Sequence, residues 1–93
     1  MKIEANGATL NCRIDGDDGP WVVLSHGLAC DLTMWDELAG ALTDRYRVLR
    51  YDARGHGASS ATEGDYSLDL LVADASALMD ALDIEHARFG GLS

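Results

Sequence analysis

The sequence predicts an α/β fold: an antiparallel hairpin, then β-α-β-α-β, with parallel strands and helices on both faces of one sheet. Three observations carry this expectation. Asn6-Gly7, the dipeptide favoured in two-residue type I′ turns, separates two strand-like stretches. Three further runs read as strands, Trp21 to Ser25, Tyr46 to Tyr51 and His86 to Leu92, and the first two close on glycine-containing loops. Between them lie two stretches whose apolar residues recur at helical spacing.

The elements follow in order. Met1 to Ala5 and Ala8 to Ile14 flank the turn, and Asp15-Gly16-Asp17-Asp18-Gly19-Pro20 is a polar cluster that closes the hairpin. Trp21 to Ser25 is continuously apolar up to its last residue, as expected of a strand covered on both faces. From Thr33, the residues Trp35, Leu38, Ala39 and Leu42 follow the i, i+3, i+4, i+7 rule, with Thr33 or Asp31 as cap. Ser67 offers a cap to a second helix with Leu68, Leu71, Val72, Ala75, Met79 and Leu82 on one stripe. No repeat or internal linker interrupts the 93 residues, so one domain over 1–93 is expected.

Composition narrows the function classes. A hydrophobic content of 47% suits a packed core. A net charge of −9 disfavours nucleic acid and anionic membranes as partners, because both require a positive field. No run is long enough to span a bilayer, and no basic-then-apolar segment opens the chain. Arg45, Arg47, Arg50 and Arg54 form the one basic cluster and read as a solvated or ion-paired face. Cys12 and Cys30 have neither disulfide-framework nor metal-site spacing, so they are expected as buried, reduced thiols in a cytoplasmic protein, with Cys30 also a candidate to touch a substrate pocket.

The chemistry-bearing residues sit at the ends of the strand-like runs. Gly91-Leu92-Ser93 is the first half of a G-x-S-x-G elbow, in which a serine stands at the tip of a sharp strand-to-helix turn. Ser93 is therefore the expected nucleophile, and Gly91 the small residue that lets the turn close. On this reading the chain ends on its own nucleophile. Trp21 to Leu28 ends in His26-Gly27-Leu28, the pattern of an oxyanion-hole loop. The Leu28 N–H is the candidate donor, Gly27 frees the backbone to turn it, and His26 braces the loop by hydrogen bonds. A donor of this kind contributes about 3 kcal/mol of transition-state stabilisation. A serine also needs a base, and His26, His56 and His86 each have a better structural role. Arg54, beside Asp52, is expected in an ion pair, with a substrate carboxylate as the lesser alternative; Trp35 and Met34 are candidates for a pocket mouth, although an aromatic at helical spacing such as Trp35 belongs more often to the core.

The stretch Arg47-Val48-Leu49-Arg50-Tyr51-Asp52-Ala53-Arg54-Gly55-His56-Gly57-Ala58-Ser59 resembles the corresponding part of the 3-oxoadipate enol-lactonases, members of the α/β-hydrolase superfamily. Leu68 to Ile84, with Asp74 and Leu82, and Phe89-Gly90-Gly91-Leu92-Ser93 are similar as well. The resemblance implies the amino-terminal portion of an α/β-hydrolase sheet, incomplete as it stands and ending at the elbow. It implies a cofactor-independent hydrolase of a small carboxylic ester or lactone. The acid and base, which follow the serine in chain order, would come from a complementary carboxyl-terminal part, expected as a second chain. Esterases, perhydrolases and other hydrolases share these loops. A non-catalytic fragment that only pairs with such a polypeptide, and a lyase or perhydrolase, stand as the alternatives.

Overall fold

Asn6 and Gly7 both take positive φ, 52° and 78°, as a type I′ turn requires of its two central residues. The turn joins β1 (Lys2–Ala5) to β2 (Ala8–Asp15), with Ala5 opposite Ala8. The computed structural model describes residues 1–26, 31–61 and 67–91. The expectations for Gly27, Leu28, Cys30 and Ser93 lie outside those residues.

Three parallel strands follow, β3 (Trp21–Ser25), β4 (Arg47–Tyr51) and β5 (Ala87–Gly91). Among the described residues five strands form one sheet in the order β1-β2-β4-β3-β5. β4 pairs antiparallel with β2 and parallel with β3, and β3 pairs parallel with β5 on its other side.

This order explains the position of the helices. The step from β3 to β4 crosses the sheet in one direction, and the step from β4 to β5 passes back over β3. Crossovers of one hand made in opposite directions place their helices on opposite faces. Accordingly, Ala39 of α1 (Asp36–Leu42) packs with Leu24 and Val48, whereas Ala75 and Leu78 of α2 (Leu68–Ala81) pack with Val23, Leu49 and Tyr51. Consecutive strand residues thus feed opposite cores, as period-two alternation dictates. The expected fold class holds.

Of the two caps expected, Asp31 is the one used, and two local expectations are corrected. The Asp31 carboxylate accepts the Thr33 N–H at 2.9 Å and opens a 3-10 turn over Leu32–Trp35 ahead of α1. Hydrogen bonds from the Thr33 hydroxyl and then its amide hold the Asp31 carboxyl below the usual carboxylate range. Leu38 points outward. On α2, Leu68 and Val72 are 77% and 59% exposed, and Asp74, Ala75 and Leu78 are the buried residues. The helix is rotated relative to its apolar count because Asp74 has a buried partner on the sheet side, described below. A stripe counted from apolar residues alone cannot include a carboxylate.

α2 ends in a Schellman motif. Ile84 N–H reaches Met79 O at 2.9 Å and Asp83 N–H reaches Asp80 O at 3.2 Å. Asp83 supplies the left-handed residue at φ 57°, a conformation that Asp tolerates better than most side chains. Ile84, 3% exposed, then returns to the core and aims the chain into β5.

β5 has no described strand on its outer side, and Phe89 on it is 57% exposed. An unpaired, partly apolar edge is a template for association. The 93-residue chain should therefore self-associate at micromolar concentration, and Phe89→Lys should reduce the association, read by light scattering. A monodisperse unsubstituted monomer with a cooperative melt contradicts this.

Candidate functional site

Ser25 lies opposite Tyr51 on one side and Gly91 on the other, so β3, β4 and β5 end level with one another. The chain leaves β3 toward α1 on one face and leaves β4 toward α2 on the other. Diverging connections of this kind open a crevice outside the carboxyl ends of the strands, where open α/β sheets place ligands. Two of the expected site residues are described, and both are at this edge: His26 directly follows Ser25, and Gly91 ends β5 beside it.

His26 is 6% exposed, and its Nε2 accepts the Ala53 N–H at 2.8 Å. That bond places the ring proton on Nδ1. The imidazole thereby ties the exit of β3 to the exit of β4. His56 stacks obliquely against it at 5.1 Å between centroids, and its Nδ1 lies 3.1 Å from Arg54 O. His86 precedes β5, at the opposite edge of the sheet. Tyr51 is buried, which pushes its phenol up; Ser25's hydroxyl pulls it partly back and the Asp74 charge adds to the rise.

The segment after β4 is organised by Asp52. Its carboxylate is 2% exposed. Oδ1 accepts Leu32 N–H at 2.7 Å, and Oδ2 accepts Ala58 N–H at 2.9 Å and Asn11 Nδ2 at 3.0 Å. Its own N–H donates to Asn11 O at 2.8 Å. The D-x-R-G-x-G-x-S pattern is explained by these bonds. Gly57 has φ 51°, and a Cβ there would run into the Asp52 carboxylate. Ser59 Oγ donates to Asp52 O at 2.6 Å, and the same Oγ accepts Asn11 N–H at 2.8 Å.

The arginines divide between burial and surface. Arg54 is 7% exposed and forks onto Asp74, Nε to Oδ2 at 3.0 Å and Nη2 to Oδ1 at 2.8 Å, with a further 2.8 Å bond to Asn6 O. Asn6 Nδ2 also donates to Asp74 Oδ1 at 2.9 Å, so this pair docks the first hairpin turn onto α2. Asp74 was unmarked as a core residue in the sequence reading; the signal was its place at i+3 from Leu71 and i−4 from Leu78. Arg50, 2% exposed, binds Asp15 Oδ2 through Nε and Nη2 at 3.1 and 3.0 Å, and its Nη1 reaches Leu32 O at 3.2 Å and Asp36. Arg47 remains at the surface, 4.5 Å over the Trp21 ring.

A cavity of about 550 Å³, lined by Trp21, Arg47, His86 and Arg88, opens at the amino ends of β3 to β5 and so faces away from the expected chemistry. Met34 is exposed, and Trp35 packs against the α1-side core. Cys12 is a free, buried thiol whose pKa is raised by burial. Among the described residues, no three His, Cys, Asp or Glu side chains converge as metal ligands, and no helix is long and apolar enough to cross a membrane.

The fold and this site together define a class. Residues 20–93 match the α/β-hydrolase fold family, and the chain belongs to it. Among curated relatives, 3-oxoadipate enol-lactonase 2 of Acinetobacter baylyi is 40% identical over 92 residues, covering 98% of this chain and 34% of its own. The enol-lactonase structure from Burkholderia xenovorans superposes with a TM-score of 0.97 at 47% identity, over 100% of this chain and 37% of that one. The epoxide hydrolase from Vigna radiata also aligns, with a TM-score of 0.91 at 30% identity, over 98% of this chain and 30% of that one. The chain thus spans about a third of the length of these relatives.

Removing one partner of a buried ion pair leaves an uncompensated charge, which typically costs about 3–5 kcal/mol. Arg54→Ala should lose that much, whereas Arg54→Met combined with Asp74→Leu should lose much less. Urea unfolding in the Phe89→Lys background measures both; equal losses would show that the pair is not the determinant.

Proposed function

We propose that residues 1–93 form the amino-terminal part of a serine hydrolase acting on a small carboxylic ester or lactone, of the kind named in its enol-lactonase relatives. One observation carries the reading. β3 and β5 are parallel neighbours with Ser25 opposite Gly91, so the segments continuing through His26 and toward Ser93 start from adjacent points on the carboxyl edge. In this reading Ser93 attacks the carbonyl carbon, and the Leu28 N–H is one of two donors to the developing oxyanion. Gly27 and Gly91 give the two turns their freedom, and His26 holds the loop through its bond to Ala53. Attack expels the alcohol or opens the lactone, leaving an acyl-serine that water hydrolyses.

The general base is assigned outside residues 1–93. His26 accepts a backbone N–H through Nε2, His56 is engaged with Arg54 O, and His86 belongs to the other edge. The partner required is therefore the complementary carboxyl-terminal part, a reading supported by this chain's spanning about a third of the length of its relatives. A reducing, cytoplasmic setting and independence from any cofactor belong to the same proposal.

The chain alone should not turn over p-nitrophenyl acetate above background. Joined to the carboxyl-terminal part through Ser93, it should show activity that Ser93→Ala abolishes. Supplied as two separate polypeptides, the parts should associate and regain less. The split places a carboxylate on Ser93 inside the oxyanion hole, which opposes the developing charge and should lower kcat by about 100-fold or more. Ser93-dependent multiple turnover by the chain alone would overturn the assignment of the base. Association without hydrolysis in either form would favour a non-catalytic pairing fragment, and peracid formation without hydrolysis would favour a perhydrolase.

A further inference from the structure

His26 and Leu32 are both bonded to the exit of one strand, β4. Ala53 N–H donates to His26 Nε2 at 2.8 Å. Leu32 is gripped twice: its N–H donates to Asp52 Oδ1 at 2.7 Å, and its carbonyl accepts Arg50 Nη1 at 3.2 Å. The three partners, Arg50, Asp52 and Ala53, lie within four consecutive positions at the carboxyl end of β4. Arg50 and Asp52 are each 2% exposed, so both of their bonds to Leu32 are shielded from water.

From this geometry we infer that Asp52, supported by Arg50, is a positioning residue that sets the backbone carrying the oxyanion donor. The inference rests on the hydrolase reading above. The Asp52 carboxylate is itself fixed, because Oδ2 is occupied by Ala58 N–H and Asn11 Nδ2 while Oδ1 serves Leu32. All three partners are donors, so only a group that accepts at both oxygens fits. An oxyanion donor must also be placed closely, since misplacement by about 1 Å can lower the rate by about 100-fold. Fastening both ends of a short span to a core strand reduces that error.

Two substitutions separate positioning from folding. In Asp52→Asn the amide oxygen serves Ala58 and Asn11, and the amide nitrogen turns toward Leu32 N–H, which loses its acceptor. Leu32→Pro removes the donor and leaves the carboxylate intact. It falls at the first position of the 3-10 turn, where proline is accepted, and Asp31 before it already has the extended φ −148°, ψ −175° that a pre-proline residue needs. In the joined hydrolase, each should lower kcat for p-nitrophenyl butyrate by about 10- to 100-fold with KM within about two-fold and the cooperative melt retained. Unchanged kcat in both variants, or a loss explained by KM or by the folded fraction, overturns the inference. If the unsubstituted enzyme shows no Ser93-dependent activity, the hydrolase reading fails instead. The clamp is then judged by amide exchange in the chain: Asp52→Asn should accelerate exchange at Leu32 at least ten-fold and leave Ala58 protected, and equal exchange at Leu32 overturns it.

Discussion

The buried carboxylate of Asp52 is the constraint around which the carboxyl edge of the sheet is built. A charge at 2% exposure is stable only when its oxygens are satisfied. Here the satisfaction comes from three N–H donors on three segments: Asn11 on β2, Leu32 at the entrance to α1, and Ala58 in the loop after β4. Leu32 is the donor to Oδ1, whereas Asn11 and Ala58 share Oδ2, so movement of any of the three segments costs the buried carboxylate a bond. A single side chain therefore couples the hairpin, the first crossover and the second crossover, and it does so at the edge where the family places its chemistry.

Much of the fold was legible because it rests on local rules. Asn6-Gly7 specified its turn, the β3 run specified a two-sided strand, and Ser67 capped α2 through its hydroxyl to Leu70 N–H at 3.1 Å. What was not legible were features that depend on partners far along the chain. Asp74 reads as a surface helix residue until Arg54, twenty positions earlier, is known to need it. The same long-range pair turned α2 so that Val72 faces outward and Leu78 inward. Arg50 likewise stood in a basic cluster that reads as a solvated or ion-paired face, with no partner specified. Its acceptors are Asp15 at the end of β2 and Asp36 on α1, and sequence order gives no hint that either lies beside β4.

The candidate site shows the same division. Part of its scaffold could be read from motif spacing: His26, the D-x-R-G-x-G-x-S segment and the Gly91 strand end all fall on one edge. The reason each motif residue is needed came only from the hydrogen bonds. Gly57 is required by the Asp52 carboxylate beside it, and Ser59 by the need to link Asp52 O to Asn11 N–H. These are structural demands, which explains why relatives named as enol-lactonase and epoxide hydrolase share this portion of the fold. A segment whose polar residues are consumed by one another can be kept while the chemistry around it changes.

That consumption also bears on which substrate the site can take. Of the seven Lys and Arg residues of the chain, Arg50 and Arg54 are the two buried ones, at and just past the carboxyl end of β4. Both are buried and committed, the first to Asp15 and Asp36 and the second to Asp74. Freeing Arg54 would strand the buried Asp74 carboxylate, and turning Arg50 away would take its buried guanidinium from the acceptors that satisfy it, larger losses than a solvent-screened contact with a substrate anion returns. Of the other five basic side chains, Arg47 and Arg88 line the cavity at the amino edge and Arg13 pairs with Asp15 on β2. With a net charge of −9, this part of the protein repels anions more than it attracts them. The two buried guanidiniums at the exit of β4 are therefore part of the scaffold, spent on holding the hairpin, α1 and α2 against the sheet.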